Sequence, residues 1–97
     1  MNKENRLPKF AEKFFWDIDP DSLEPDSDYF IIIERLLNYA DDITLKWLLN
    51  YYDNEKIKYV VKNSRRLTPK TANFWQKHLN LRKEEVKCIK KSYLKMD

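Results

Sequence analysis

The sequence contains no glycine, where average usage of about 7% would supply roughly seven in a chain this long. That absence excludes sites whose backbone must take positive φ or approach a ligand closely: a Walker phosphate loop, a dinucleotide-binding fingerprint and a nucleophile elbow. It also argues against tight β-hairpins and leaves Asn and Asp to end the chain's elements. Cysteine and histidine occur once each, as Cys88 and His78. A lone cysteine rules out an intrachain disulfide and suits a reducing cytoplasm. The pair is too small for a zinc site, which takes four ligands. His78 has no acid at a relay spacing, and Cys88 reads as a small buried apolar residue. Long hydrophobic runs are missing too. The longest, "YFIII" (29–33), is far too short to span a bilayer, and "MNKENRLPKF" lacks the apolar core of a signal peptide. The residues therefore supply no catalytic constellation. The expectation is a cytoplasmic protein that is not an enzyme and carries no cofactor.

What is present is charge, strongly polarised. Residues 1–55 hold six Lys+Arg and thirteen Asp+Glu, net −7, and residues 56–97 hold thirteen and three, net +10. Such asymmetry suggests an acidic or polyanionic partner, unless the two halves neutralise one another across the folded surface. Ninety-seven residues make a single domain, with 1–8 expected as a flexible tail.

Apolar residues recur at helical spacing in six segments, so the expected fold is all-α, a compact bundle of five to six short helices. The first, about 9–16, pairs Phe10 with Phe14 and Ala11 with Phe15. An acidic loop fixed by Pro20 and Pro25 follows, and Ser27 is expected to cap the second helix, about 28–39. That helix is apolar nearly all round, which suits the centre of a bundle. Asp41 or Asp42 caps a third, about 43–52, with Leu45, Leu48, Leu49 and Tyr52 in one stripe and Trp47 and Tyr51 in another. The fourth, about 55–64, buries Ile57, Val60, Val61 and Ser64 and turns Lys58, Lys62 and Arg65 outward. Thr68 caps the fifth, about 69–79, with Pro69 in its first turn. The sixth, about 83–93, points Val86, Ile89 and Tyr93 inward. Trp16, Trp47 and Trp75 are expected in the core, and Tyr51, Tyr52 and Tyr59 partly exposed.

The fourth and fifth helices, joined by "RRLT", have the outline of a helix-turn-helix. Ala72, Trp75 and Leu79 would face the core, leaving Lys70, Asn73 and Lys77 on another face with Gln76 beside them. Asn and Gln can bridge an adenine edge and Lys can meet guanine or phosphate, so Lys70, Asn73, Gln76 and Lys77 are candidate DNA readers. The same spacing also describes an ordinary solvated helix face. As a docking surface for a protein, the candidate residues are Lys58, Lys62, Arg65, Arg66, Lys70 and Lys77. The acidic loop imitates a calcium site, with Asp17, Asp19, Asp21 and Asp28 at the first, third, fifth and twelfth positions of an EF-hand loop. Ser22 stands where the turn needs Gly, however, and Asp28 is short for the bidentate ligand. No metal is expected.

"FWDID" (15–19), "FIIIERLLNYAD" (30–41), "WLLNYY" (47–52), "SRRLTPKTANFW" (64–75) and "EEVKC" (84–88), in this order, resemble a family of short prokaryotic proteins of unknown function. Its members are often encoded beside a nucleotidyltransferase-type toxin of the abortive-infection kind. The resemblance covers about residues 14–94, with the 64–75 block its most distinctive part. It implies an antitoxin-like companion role with that toxin as partner, and it brings no catalytic assignment. Where relatives tend to carry glycine after the central helices, this chain has Ala40, Asp53 and Asn80. The expected function is a protein-binding module, with a DNA-binding regulator using helix 69–79 as the alternative.

Overall fold

In the computed structural model, residues 7–87 are described. They form an all-α domain of four α-helices, α1 (Tyr29–Tyr39), α2 (Asp42–Tyr51), α3 (Asn54–Asn63) and α4 (Pro69–His78), with 3-10 turns at Lys9–Phe14, Pro20–Ser22 and Lys83–Glu85. No strand occurs among the described residues. No helix among them is long and apolar enough to cross a membrane.

α1 is the central element, packing against the first 3-10 turn, α2 and α3, while α4 packs on α3. Ile32, Ile33, Leu36 and Leu37 of α1 are buried. They share one core with Ala11, Phe15, Leu48, Tyr52, Ile57, Val60, Val61, Leu67, Ala72, Trp75, Leu81 and Val86. Leu7 belongs to that core as well and Pro8 is half-buried, so the end of the expected tail is packed; residues 1–6 lie outside the described residues.

Helix ends follow the sequence where a short polar side chain is free to reach back. Asp41, Asp53 and Thr68 accept from the backbone N–H groups of Thr44, Lys56 and Thr71, at 3.0, 2.9 and 3.2 Å. Each satisfies a donor that the first turn leaves without a partner. α1 differs from expectation. Ser27 gives its hydroxyl to Glu24 and Asp28 accepts from the Glu24 N–H, so these side chains brace the acidic loop and no side chain caps α1. At the other ends, Ala40 and Asp53 are extended, with φ −67° and −79°, and Asn80 alone among the described residues takes positive φ, 59°.

Three further expectations are corrected. The first helix is a 3-10 turn ending at Phe14, which exposes Phe10 while burying Ala11 and Phe15. Leu49 is exposed while its neighbour Leu48 is buried, and Tyr52 is buried. Trp16 is exposed, Trp47 is half-buried, and only Trp75 of the three tryptophans enters the core. Of the expected sixth helix, the turn Lys83–Glu85 and buried Val86 are described; Cys88, Ile89, Lys90, Lys91 and Tyr93 lie outside the described residues.

Candidate interaction surface

Two sets of contacts from α1 position the segment before it and the α3–α4 connection. The first centres on Arg35. Its guanidinium donates to both carboxylate oxygens of Asp17 and to the Phe14 carbonyl, and lies 5.5 and 4.9 Å from the ring centroids of Phe15 and Trp16. The Arg35 hydrogen bond holds the Asp17 carboxyl below the ordinary carboxylate range. This explains why "FWD" and "ER" go together: Arg35 clamps the segment after the first turn onto α1.

The second set ties α1 to the α3–α4 connection. Buried Glu34 accepts from the hydroxyl of buried Ser64, whose oxygen accepts in turn from the Arg66 N–H at 3.1 Å. One turn on, Asn38 donates to the Arg66 carbonyl at 3.0 Å and accepts from the Thr68 N–H at 3.1 Å. The backbone of 64–68 is thereby fixed while the Arg65 and Arg66 side chains are left exposed.

The acidic loop is likewise built in. Tyr51 donates to Asp26 at 2.9 Å and buried Tyr52 donates to the Pro25 carbonyl at 2.8 Å. Burial, reinforced by nearby acids, raises both phenols above their ordinary range. Asp19 accepts from the Asp21 N–H at 3.1 Å. Asp17, Asp19, Asp26 and Asp28 thus serve as structural acceptors for protein donors.

α4 carries the most exposed chemistry. Pro69 occupies its first turn, and Ala72 and Trp75 turn inward. Lys70, Asn73, Phe74 and Lys77 then recur at i, i+3, i+4 and i+7 and all are exposed. Phe74, 56% exposed, stacks on His78 with centroids 5.7 Å apart and planes 10° apart. Buried Trp75 meets His78 edge-on at 5.2 Å. Asn73, Phe74, Lys77 and His78 line an open depression of about 390 Å³.

Lys70 and Lys77 therefore share one face, beside an aromatic pair that the charge pattern alone does not bring forward. The signal was present: Phe74 lies four residues after Lys70 and four before His78, the spacing of one helix face. Arg65 and Arg66 stand in the connection, and Lys58 and Lys62 are half-buried on α3, with Lys58 4.0 Å from Glu55. Lys62, Arg65, Arg66, Lys70 and Lys77 have no carboxylate partner among the described residues. Gln76 is placed differently from Lys70, Asn73 and Lys77. It is half-buried, and its amide donates to the Leu81 carbonyl at the end of the helix. Asn73 is exposed but also donates to the Pro69 carbonyl at 3.0 Å.

Residues 10–61 match the model of a family of unknown function, DUF6922, over more than half of the chain. The chain belongs to the DUF6922 family. The span that defines the family here runs from the first 3-10 turn into α3. It contains the Arg35 clamp, the acidic loop and the Tyr51–Tyr52 pair, and it stops short of Ser64 and the whole of α4. No curated protein and no solved structure matches the chain.

Proposed function

We propose that the chain is a non-enzymatic protein-binding module that docks an acidic surface of its partner through the basic side of α3 and α4. The observation that carries this reading is the solvent-exposed Phe74–His78 stack on the helix that also exposes Lys70 and Lys77. Aromatic residues and arginine dominate the energetics of protein interfaces, and cations around them steer an acidic partner into place. Arg65 and Arg66, on a backbone already fixed by Glu34 and Asn38, add charge with little ordering cost to their main chain. The partner we favour is a nucleotidyltransferase-type toxin, which would make the chain its antitoxin-like companion. That choice is supported by the resemblance of the "FWDID", "ERLL" and "SRRLTPKTANFW" segments to proteins encoded beside such toxins.

The test is to purify the tagged protein from its native cells with and without nuclease. A stoichiometric protein that survives nuclease is expected. R65E/R66E should abolish its capture while leaving the helical circular-dichroism signal unchanged, and retained capture would count against this surface. A second reading, DNA binding by α4, is favoured by the exposure of Lys70, Asn73 and Lys77 on one face. It predicts nucleic acid that nuclease removes, and about six phosphate contacts would give log affinity a slope near −5 against log salt.

A further inference from the structure

A second exposed apolar surface lies around the first 3-10 turn and the α1–α2 junction. Trp16 is 66% exposed, Ile43 64%, Tyr39 53% and Phe10 45%. Trp16 and Tyr39 touch directly, and an ion pair joins the elements that carry Phe10 and Ile43. The Trp16 ring meets the edge of Tyr39 with centroids 5.5 Å apart. Lys13 Nζ lies 3.3 Å from Asp41 Oδ2, joining the 3-10 turn to the α1–α2 junction at a point two residues from both Tyr39 and Ile43. Residues three apart eclipse one another in a 3-10 helix, so Phe10 stands one turn from Lys13 on the same side. Trp16 is also held in place, with the Arg35 guanidinium 4.9 Å from its centroid and Asp17 fixing that guanidinium. An indole already fixed in an exposed position loses little side-chain entropy on association.

We propose that this face is the contact of a twofold-symmetric homodimer. The first argument is charge. A twofold contact opposes a surface to itself, so the surface must be its own complement. This rim meets that condition: Asp17 and Asp41 each come with a cation, Arg35 and Lys13, and exposed Asp42 stands beside Asp41 with no cation partner among the described residues. Across a twofold contact, Lys13 of one copy would be shared between its own Asp41 and Asp42 of the other, twice. On the α3–α4 side the charges without a carboxylate partner among the described residues, Lys62, Arg65, Arg66, Lys70 and Lys77, are all cations and would repel their own copy.

The second argument is area. Roughly half-exposed, three aromatic rings and an isoleucine present on the order of 400–500 Å² of apolar surface. That is within the range of the largest patch a monomer leaves, a patch that is often functional. It is also about half of the roughly 800 Å² each partner gives to an interface of standard size, leaving the charged rim to supply the rest. A reversible dimer with a dissociation constant in the micromolar range is expected. This proposal does not depend on the reading of α4.

The experiment is sedimentation of the full chain from about 1 to about 300 μM, a range that brackets micromolar association. The mass should rise from 11.9 kDa toward twice that value. Ile43→Glu should hold the protein at monomer mass across the range. Ile43 sits in the first turn of α2, where a carboxylate suits the helix dipole, so the fold is kept and circular dichroism checks it. Trp16→Ala, a truncation of an exposed ring, should weaken association at least tenfold, and K70E/K77E should leave it unchanged. A wild-type chain that stays monomeric to the highest concentration overturns the proposal. So does a dimer that survives both Ile43→Glu and Trp16→Ala, and so does one lost in K70E/K77E.

Discussion

Glu34 is a charged residue that helical periodicity placed among apolar neighbours without marking it as buried. Its carboxylate meets the Ser64 hydroxyl inside the domain, and that hydroxyl also receives the Arg66 N–H. Removing one member leaves polar groups buried without their partner, which costs about 1–3 kcal/mol. Ser64→Ala should therefore destabilise by that amount in chemical denaturation. Glu34→Gln, which keeps an acceptor oxygen, should cost less. If the two substitutions cost the same, charge rather than hydrogen-bond geometry governs the pair. At the surface, Asp17 and Asp41 titrate below the ordinary carboxylate range, Asp17 chiefly through Arg35 and Asp41 chiefly through the Thr44 N–H with Lys13 adding. A carboxylate whose pKa is depressed by folding stabilises the native state above its unfolded pKa of about 3.9, and that contribution is lost as pH falls through the folded value. Tyr51 and Tyr52 are shifted upward, chiefly by burial. Their contribution is complete below the unfolded phenol pKa of about 10 and is lost as pH rises through the folded values. From these four groups the melting temperature should be flat between about pH 5 and 9 and fall on both sides. Asp17→Asn should flatten the acid limb and leave the alkaline limb alone.

At the level of elements, the helices were legible where a cap and an apolar stripe agreed. α3 and α4 match their expected limits to within a residue, because Asp53, Thr68 and Pro69 mark their starts unambiguously. The first segment differs in type from its pattern. Pairs at i,i+4 implied an α-helix, but the chain forms a 3-10 turn that buries Ala11 and Phe15 and lets Phe10 go to solvent. Nothing in its own residues reveals that Arg35, far along the chain, will draw in the Phe14 carbonyl and Asp17. The exposure of Trp16 follows from the same tertiary contact, and so was equally hidden. The end of α4 shows the opposite case, in which a missing glycine is replaced by the next best residue. Asn80 adopts φ 59°, its N–H reaches the Lys77 carbonyl at 3.2 Å, and the Leu81 N–H reaches the Gln76 carbonyl at 2.9 Å. This paired arrangement satisfies two carbonyls of the last turn. Asn80→Ala should cost on the order of 1 kcal/mol, since Cβ of an ordinary residue opposes the left-handed region. Asn80→Gly should be neutral or better. Thr68→Ala should cost about 1 kcal/mol through its cap. Urea titrations of the three variants separate backbone conformation from side-chain bonding.

Across the whole molecule, the segregation of charge along the chain becomes a division of labour between two sides of α1. The acids of the front half are mostly consumed internally, by Arg35, Lys13, Tyr51 and backbone N–H groups. On the α3–α4 side, Lys62, Arg65, Arg66, Lys70 and Lys77 have no carboxylate partner among the described residues, and this imbalance supports the proposed docking surface. The family span ends within α3, yet Leu67, Ala72, Trp75, Leu81 and Val86 beyond it share one core with residues inside it. A continuous core predicts a single cooperative transition. Asn38 provides the sharpest test, because it binds both the Arg66 carbonyl and the Thr68 N–H from the middle of the family span. Asn38→Ala removes two hydrogen bonds at a half-buried site, worth about 1–3 kcal/mol together. In a domain of this size that lowers the melting temperature by roughly 5–20 °C. If α4 is integral to the fold, the transition should move as one, and amide exchange in α1 and α4 should accelerate in step. If α4 instead opens by itself, α4 amides should exchange faster while α1 amides keep their protection, and the docking surface would then be a separately stable appendage to the family core.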